Sequence, residues 1–278
     1  MFPIPMTLTR AAGLSPRRGR VRRRQKRRSR WQKRTRSAWR WFNTLPRPLR
    51  IAIVTASVLV FIAAGNFVYQ VARKPTEMFF PVAGVLNKMP AETWESYAPL
   101  FREHATAAVS PELLAALAQV EAAGNPLART YWRWNLTWNP LSIYKPASSA
   151  VGMYQMTDAA FTDAREACVH DHVVVDDCWF TGLYTRVLPS HAIELAAVSL
   201  DRQGAAILRK YPRAKVNARQ LQDLAALIHL CGGGVARAFA RNGFQLPAGQ
   251  RCGDHSAAQY LASVNAMMRQ FRRYAANE

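Results

Sequence analysis

The chain has 278 residues, half of them hydrophobic and 20% charged, with a net charge of +21 at pH 7. That length admits one domain of ordinary size with appendages. The charge is uneven: residues 1–50 hold 17 of the 38 Lys and Arg and no Asp or Glu, while the other 228 residues set 21 basic against 17 acidic side chains. A domain that is basic throughout is therefore excluded.

The arm, residues 1–50, carries arginine runs at Arg17-Arg18, Arg22-Arg23-Arg24 and Arg27-Arg28, with few apolar residues before Trp31. Like charges at this density repel, and no core is at hand to offset the ordering entropy, so disorder is expected to about residue 30. Trp31, Trp39, Trp41 and Phe42 then interleave with Arg30, Lys33, Arg34, Arg36 and Arg40. That pattern suits a short amphipathic helix on an anionic membrane surface, and it also suits single-stranded nucleic acid. Position decides for the membrane, because residues 51–71 follow without a charged side chain for 21 positions. At about 1.5 Å per residue they span a hydrocarbon layer of about 30 Å. Asn66 and Gln70 weaken the outer end of the run, and Tyr69 suits an interface. A cleaved signal peptide is the competing reading, but an n-region of 50 residues is too long for one. The positive-inside rule keeps the arm in the cytoplasm, where anionic lipid attracts it, and puts everything after Arg73 outside.

Residues 72–92, with Pro75, Pro81, Gly84 and Pro90, read as a linker that lifts the domain, 93–278, off the bilayer. Thr93 to Ala108 is a predicted helix. The next has both ends marked: Ser110 as N-cap, Pro111 at the first helical position, Glu112 in the first turn, then Gly124 and Pro126 past the end. Leu113, Leu114, Leu117 and Val120 make its apolar stripe, and about 100° per residue puts Glu121 beside Leu114 and Leu117. Apolar surroundings and the negative end of the helix both disfavour a charged carboxyl there, which is the setting a general acid requires. A solvated rim glutamate is the plainer reading.

An aromatic insertion follows, Tyr131-Trp-Arg-Trp-Asn-Leu-Thr-Trp-Asn-Pro140, running on to Tyr144 and Pro146. Its rings suit either stacking on sugar faces or folding back over apolar surface. Gly152-Met153-Tyr154-Gln155 comes next, with Gly152 expected to let backbone approach a ligand closely. Further helices are predicted over 157–167, 190–210, 217–231 and 255–275, capped at Thr157 and Asn217. Val173-Val174-Val175 is too short to establish a sheet, so the domain is expected to be mainly α.

Glu121, Asn125-Pro126 and the Gly152 block together resemble the soluble-lytic-transglycosylase (SLT) family of peptidoglycan-cleaving enzymes, over roughly residues 95–245. The resemblance implies a goose-type-lysozyme-like helical domain in which Glu121 is catalytic and Gly152, Met153, Tyr154 and Gln155 line the saccharide groove. Three features depart from the family pattern. Ala122 stands where the family has Ser, the segment from Glu121 to Gly152 is about twice the usual length, and an Ala-Tyr-Asn-Ala-Gly block appears only as Ile228-His229-Leu230-Cys231-Gly232. His229 thus stands at the family's Tyr, which puts the contact made there in question.

Four cysteines, Cys168, Cys178, Cys231 and Cys252, permit three connectivities. An oxidising compartment favours disulfides, and short separations favour the local pairs 168/178 and 231/252. His170, His172, Asp176 and Asp177 between the first two invite a metal reading, but their spacing fits no standard zinc pattern, and a disulfide-closed polar loop is expected instead.

Ordinary glycosidases need two carboxylates. The lytic transglycosylases use one, which protonates the bond between N-acetylmuramic acid and N-acetylglucosamine and then takes the proton from the 6-hydroxyl as a 1,6-anhydro ring closes. The resemblance therefore implies a bacterial inner-membrane enzyme acting on periplasmic glycan strands with no metal or cofactor. Two rivals stay open: a lysozyme-like hydrolase whose second acid would be Asp158, Glu194 or Asp201, and a weakly catalytic peptidoglycan-binding scaffold of an envelope or secretion assembly. Nucleic-acid binding by the arm is a third.

Overall fold

The structure is a computed structural model that describes residues 39–79, 83–211 and 216–278. The arm up to residue 38, with its expected disorder and lipid contact, lies outside the described residues. The chain divides into two compact units, Met1–Ala64 and Gly65–Glu278.

In the first unit, residues 39–44 are helical, and the rings of Trp39 and Phe42 stack with centroids 6.1 Å apart. Helix α1, Arg47–Arg73, begins here and carries the apolar run. From Ile51 to Gly65 every side chain except that of Ile53 is exposed. An apolar helix left bare on all sides is suited to lipid rather than water.

The second unit is mainly helical. Its helices are α2 (Pro90–Glu103), α3 (Pro111–Ala122), α4 (Asp158–Ala164), α5 (Pro189–Leu208), α6 (Ala218–Arg241) and α7 (Ala257–Ala275). The strands form three antiparallel hairpins: β1 (Trp132–Trp134) with β2 (Tyr144–Pro146), β3 (Cys168–His170) with β4 (Val173–Val175), and β5 (Arg251–Cys252) with β6 (His255–Ser256). The short valine run is thus one strand of a hairpin, paired residue for residue with Cys168–His170.

Helix α3 is the centre of the unit, packed against α7, α2, α5 and α6. Leu113 to Ala118 are all fully buried. The stripe read from the sequence is therefore only part of a helix enclosed on every side, with small alanines on the faces where neighbours come closest. Its ends behave as expected. Ser110 accepts from the Leu113 N–H at 3.2 Å. Ala123 (φ 49°) and Gly124 (φ 64°) are both left-handed, and the Gly124 N–H donates to the Ala118 carbonyl at 3.0 Å. A Cβ on Gly124 would stand 2.2 Å from Thr93 Oγ1, so that position requires glycine for space as well as for dihedral.

The helix predicted over 217–231 is capped at Asn217 and ends at a break at Gly232 (φ 71°, ψ 176°), and a second helical piece follows it to Arg241. One expectation is corrected. Residues 74–79 are not a free spacer. They form a 3₁₀ turn (Pro75–Phe79) whose Glu77 is fully buried, with Lys74 Nζ 3.0 Å and Arg129 3.2 Å from its two oxygens and the Trp132 indole N–H donating at 2.7 Å. A carboxylate with two cations and an indole donor around it resists leaving its site. Lys74 Nζ also donates to the Ala150 carbonyl at 2.9 Å, which ties the turn to the segment just before the Gly152 block.

Candidate active site

Glu121 ends the central helix with its side chain 19% exposed, beside a cleft of about 470 Å³. The cleft is walled by residues of the 150s block (Tyr154, Gln155, Met156), by α5 (Ser199, Gln203) and by α6 (Ile228, His229). Beyond His229 a recess of about 540 Å³ shares Thr157, Ser199, Gln203 and Ile228 with it and reaches Arg202 and Gly232. The two share this wall, and the recess also carries Asp163 and Glu166.

Two groups converge on Glu121. The Tyr260 hydroxyl, from α7, donates to Oε1 at 2.5 Å. His229 Nε2, from α6, stands 3.5 Å from the same oxygen. Burial, then the negative charge of Glu121 and the hydrogen bond itself, push the Tyr260 hydroxyl far above the ordinary tyrosine value. It remains a donor at any physiological pH. The carboxyl is thus fixed at one oxygen by groups from two different helices, while the cleft opens beside it.

The 150s block reaches Glu121 through local geometry. Val151 and Met156 exchange both backbone hydrogen bonds at 3.1 Å, closing a tight loop that contains Gly152 (φ 80°) and Gln155 (φ 45°). The Gly152 N–H donates to the Ala128 carbonyl at 2.8 Å, which anchors the loop just past the end of α3. Tyr154 is fully buried and its hydroxyl donates to the Leu114 carbonyl at 3.0 Å, with burial raising its pKa well above the usual range. It is a strut between the block and the helix that carries Glu121, and it presents its ring toward the edge of His229, 6.4 Å between centroids.

The residues expected in the groove therefore divide. Glu121, Tyr154, Gln155 and His229 line the cleft. Met153 does not reach it: its side chain is fully buried in the core. Gly152 serves a different close approach from the one expected, since a Cβ there would fall 2.1 Å from the Arg186 backbone carbonyl rather than against a ligand. His229, in question at the family's Tyr position, does face the acid.

Glu121 is the one carboxylate among the described residues lining the cleft. The three candidates for a second acid are engaged elsewhere. Asp158 pairs with Arg186 at 2.7 Å. Glu194 accepts from the Val169 N–H at 2.8 Å and from the Tyr184 hydroxyl at 2.6 Å, and Asp201 accepts from Thr106 at 2.6 Å.

Both local disulfides are present, Cys168–Cys178 and Cys231–Cys252. The first closes the β3–β4 hairpin. His170 and His172, weighed as metal ligands, sit at its turn, and His172 Nδ1 lies 2.9 Å from the Ala105 carbonyl oxygen. The second joins α6, next to the Gly232 break, to β5, and His255 of the paired strand also lines the cleft. It therefore braces the wall that holds His229.

Sequence reasoning missed Tyr260, which lies 139 residues beyond Glu121. The available signal was the stripe Tyr260, Val264, Met268 and Phe271 along the last helix, all buried here. A tyrosine at the head of a core stripe brings a hydroxyl that must find a partner.

No protein-family model matches the chain, and no curated protein matches it.

Proposed function

We propose that the protein is a membrane-anchored peptidoglycan lytic transglycosylase with a lysozyme-like domain, in which Glu121 is the single acid and base. The observation that carries this reading is that Glu121 is the one carboxylate among the described residues lining its cleft, oriented by Tyr260 and His229, with Asp158, Glu194 and Asp201 held by partners elsewhere. The motif resemblance around Glu121 and Gly152 supplies the substrate class, glycan strands of alternating N-acetylglucosamine and N-acetylmuramic acid.

Glu121 gives its proton to the glycosidic oxygen as the bond to muramic acid's anomeric carbon breaks. The carboxylate left behind accepts the proton of the 6-hydroxyl as that oxygen closes on the same carbon. The nucleophile belongs to the substrate, so no second carboxylate is needed to activate water, and the attack has the advantage of an intramolecular reaction. The Tyr260 hydrogen bond strengthens when Glu121 is charged, because charge-assisted bonds are roughly twice as strong as neutral ones. It therefore stabilises the carboxylate formed in mid-reaction. The exposed apolar helix α1 supports anchoring in the inner membrane, with the two disulfides on the periplasmic side.

Glu121→Gln keeps shape and polarity but holds no carboxyl proton. Release of muropeptides from purified sacculi should collapse while circular dichroism stays unchanged. Release near the wild-type rate would remove the proposal.

A further inference from the structure

No residue of 131–146 is among those lining the cleft. In the β1–β2 hairpin Trp132 stands opposite Pro146, Arg133 opposite Lys145 and Trp134 opposite Tyr144. Alternation along strands gives this ribbon an aromatic face and a basic face. Tyr144 lies between the two indoles on the first, 5.1 Å from Trp132 and 4.7 Å from Trp134 by ring centroids.

The aromatic face rests on the end of α1. Phe67 stacks on Trp132 at 6.0 Å. The Asn66 amide donates to the Pro140 carbonyl at 3.1 Å, and the Gln70 amide to the Leu141 carbonyl at 2.6 Å. Both amides are buried. They are the two amide side chains of the run 51–71, where an unanswered amide would be costly, and loop carbonyls answer both. The loop is therefore level with the last two turns of that run. Asn66 lies about 10 Å below Arg73 at 1.5 Å per residue, the depth of an interface rather than of open water.

Past this docking the loop projects Trp134, Leu136 and Trp138, which are 76%, 109% and 102% exposed. Tryptophan and leucine bared this fully, next to a membrane helix, match the aromatic belt at a bilayer surface. On the other face Arg133 and Lys145 share with Arg73 a recess of about 680 Å³. Cations at that level meet lipid phosphates.

We propose that the 131–146 hairpin is a second membrane anchor, with its 136–138 tip in the headgroup–acyl boundary and its basic face on the phosphates of anionic phospholipid. It holds the domain at a fixed height and tilt on the bilayer. The proposal rests on the reading of α1 as a membrane helix, and the test separates the two.

The full chain, in nanodiscs of mixed neutral and anionic phospholipid, is spin-labelled singly at Trp138→Cys, Val58→Cys and Glu103→Cys. Collisions with dissolved oxygen should exceed those with an aqueous nickel chelate at 138 and at 58, and the order should reverse at 103. Water-like behaviour at 138 with lipid-like behaviour at 58 would overturn the second anchor alone. Water-like behaviour at both would overturn the membrane helix and the hairpin proposal with it.

Discussion

Tyr260→Phe removes one hydroxyl and keeps the ring that fills the core. Tyr260 is 8% exposed, and its hydroxyl donates to Glu121 Oε1 at 2.5 Å. A hydrogen bond to a charged acceptor contributes about 1.5–3 kcal/mol and a neutral one about 0.5–1.5 kcal/mol. The difference, about 1–1.5 kcal/mol, is the part gained only as Glu121 gives up its proton. It converts to a loss of roughly five- to thirteenfold in kcat. KM should hold, since Tyr260 is not among the residues lining the cleft and the bond is not one to substrate. The assay is initial-rate release of soluble muropeptides from sacculi, with circular dichroism as the check on folding. A change within twofold would show that the bond does not strengthen during the reaction. A collapse equal to that of Glu121→Gln would refute positioning in favour of direct proton transfer by Tyr260.

Gly152→Ala sets a Cβ 2.1 Å from the Arg186 carbonyl at φ 80°, and strain with overpacking should cost about 2–4 kcal/mol. The thermal midpoint should fall by at least about 4 °C, and an unchanged midpoint would contradict the packing described here. Burial lowers the pKa of His104 from its ordinary 6.5, against the raising pull of Glu194 and Glu103 and with a smaller lowering push from His191. The unfolded chain binds that proton more readily, so this contribution to stability is complete above 6.5 and is lost as pH falls below it. Thermal midpoints should drop on acidification from about pH 7 to 5.5, and His104→Leu should flatten that slope; an equally steep slope would locate the titration elsewhere.

What was legible in the sequence was local. Ser110, Pro111 and Gly124 mark the ends of α3 because capping depends on residues within four positions of one another, and the cap at Asn217 and the cysteine pairs are local in the same sense. The position of Glu121 on its helix followed from the same periodicity. Tertiary partners were not legible. Glu77 read as part of a proline-rich spacer because Arg129 and Trp132, which enclose it, are more than fifty positions away. Tyr260 escaped for the same reason. The motif around Gly152 gave the block's place but not its facing: the loop closed by Val151 and Met156 turns Met153 inward and Gln155 to the cleft. The aromatic insertion left two uses open, and its docking on Asn66 and Gln70 depends on contacts across more than seventy residues.

In the proposed mechanism one carboxylate and the substrate's own 6-hydroxyl complete the reaction. Digestion of peptidoglycan by the full chain in heavy-oxygen water, followed by mass spectrometry of the new ends, tests it directly. The expected products carry 1,6-anhydromuramic ends, one water lighter than hydrolytic ends and free of label. Reducing ends that carry the heavy oxygen would contradict it and identify a hydrolase.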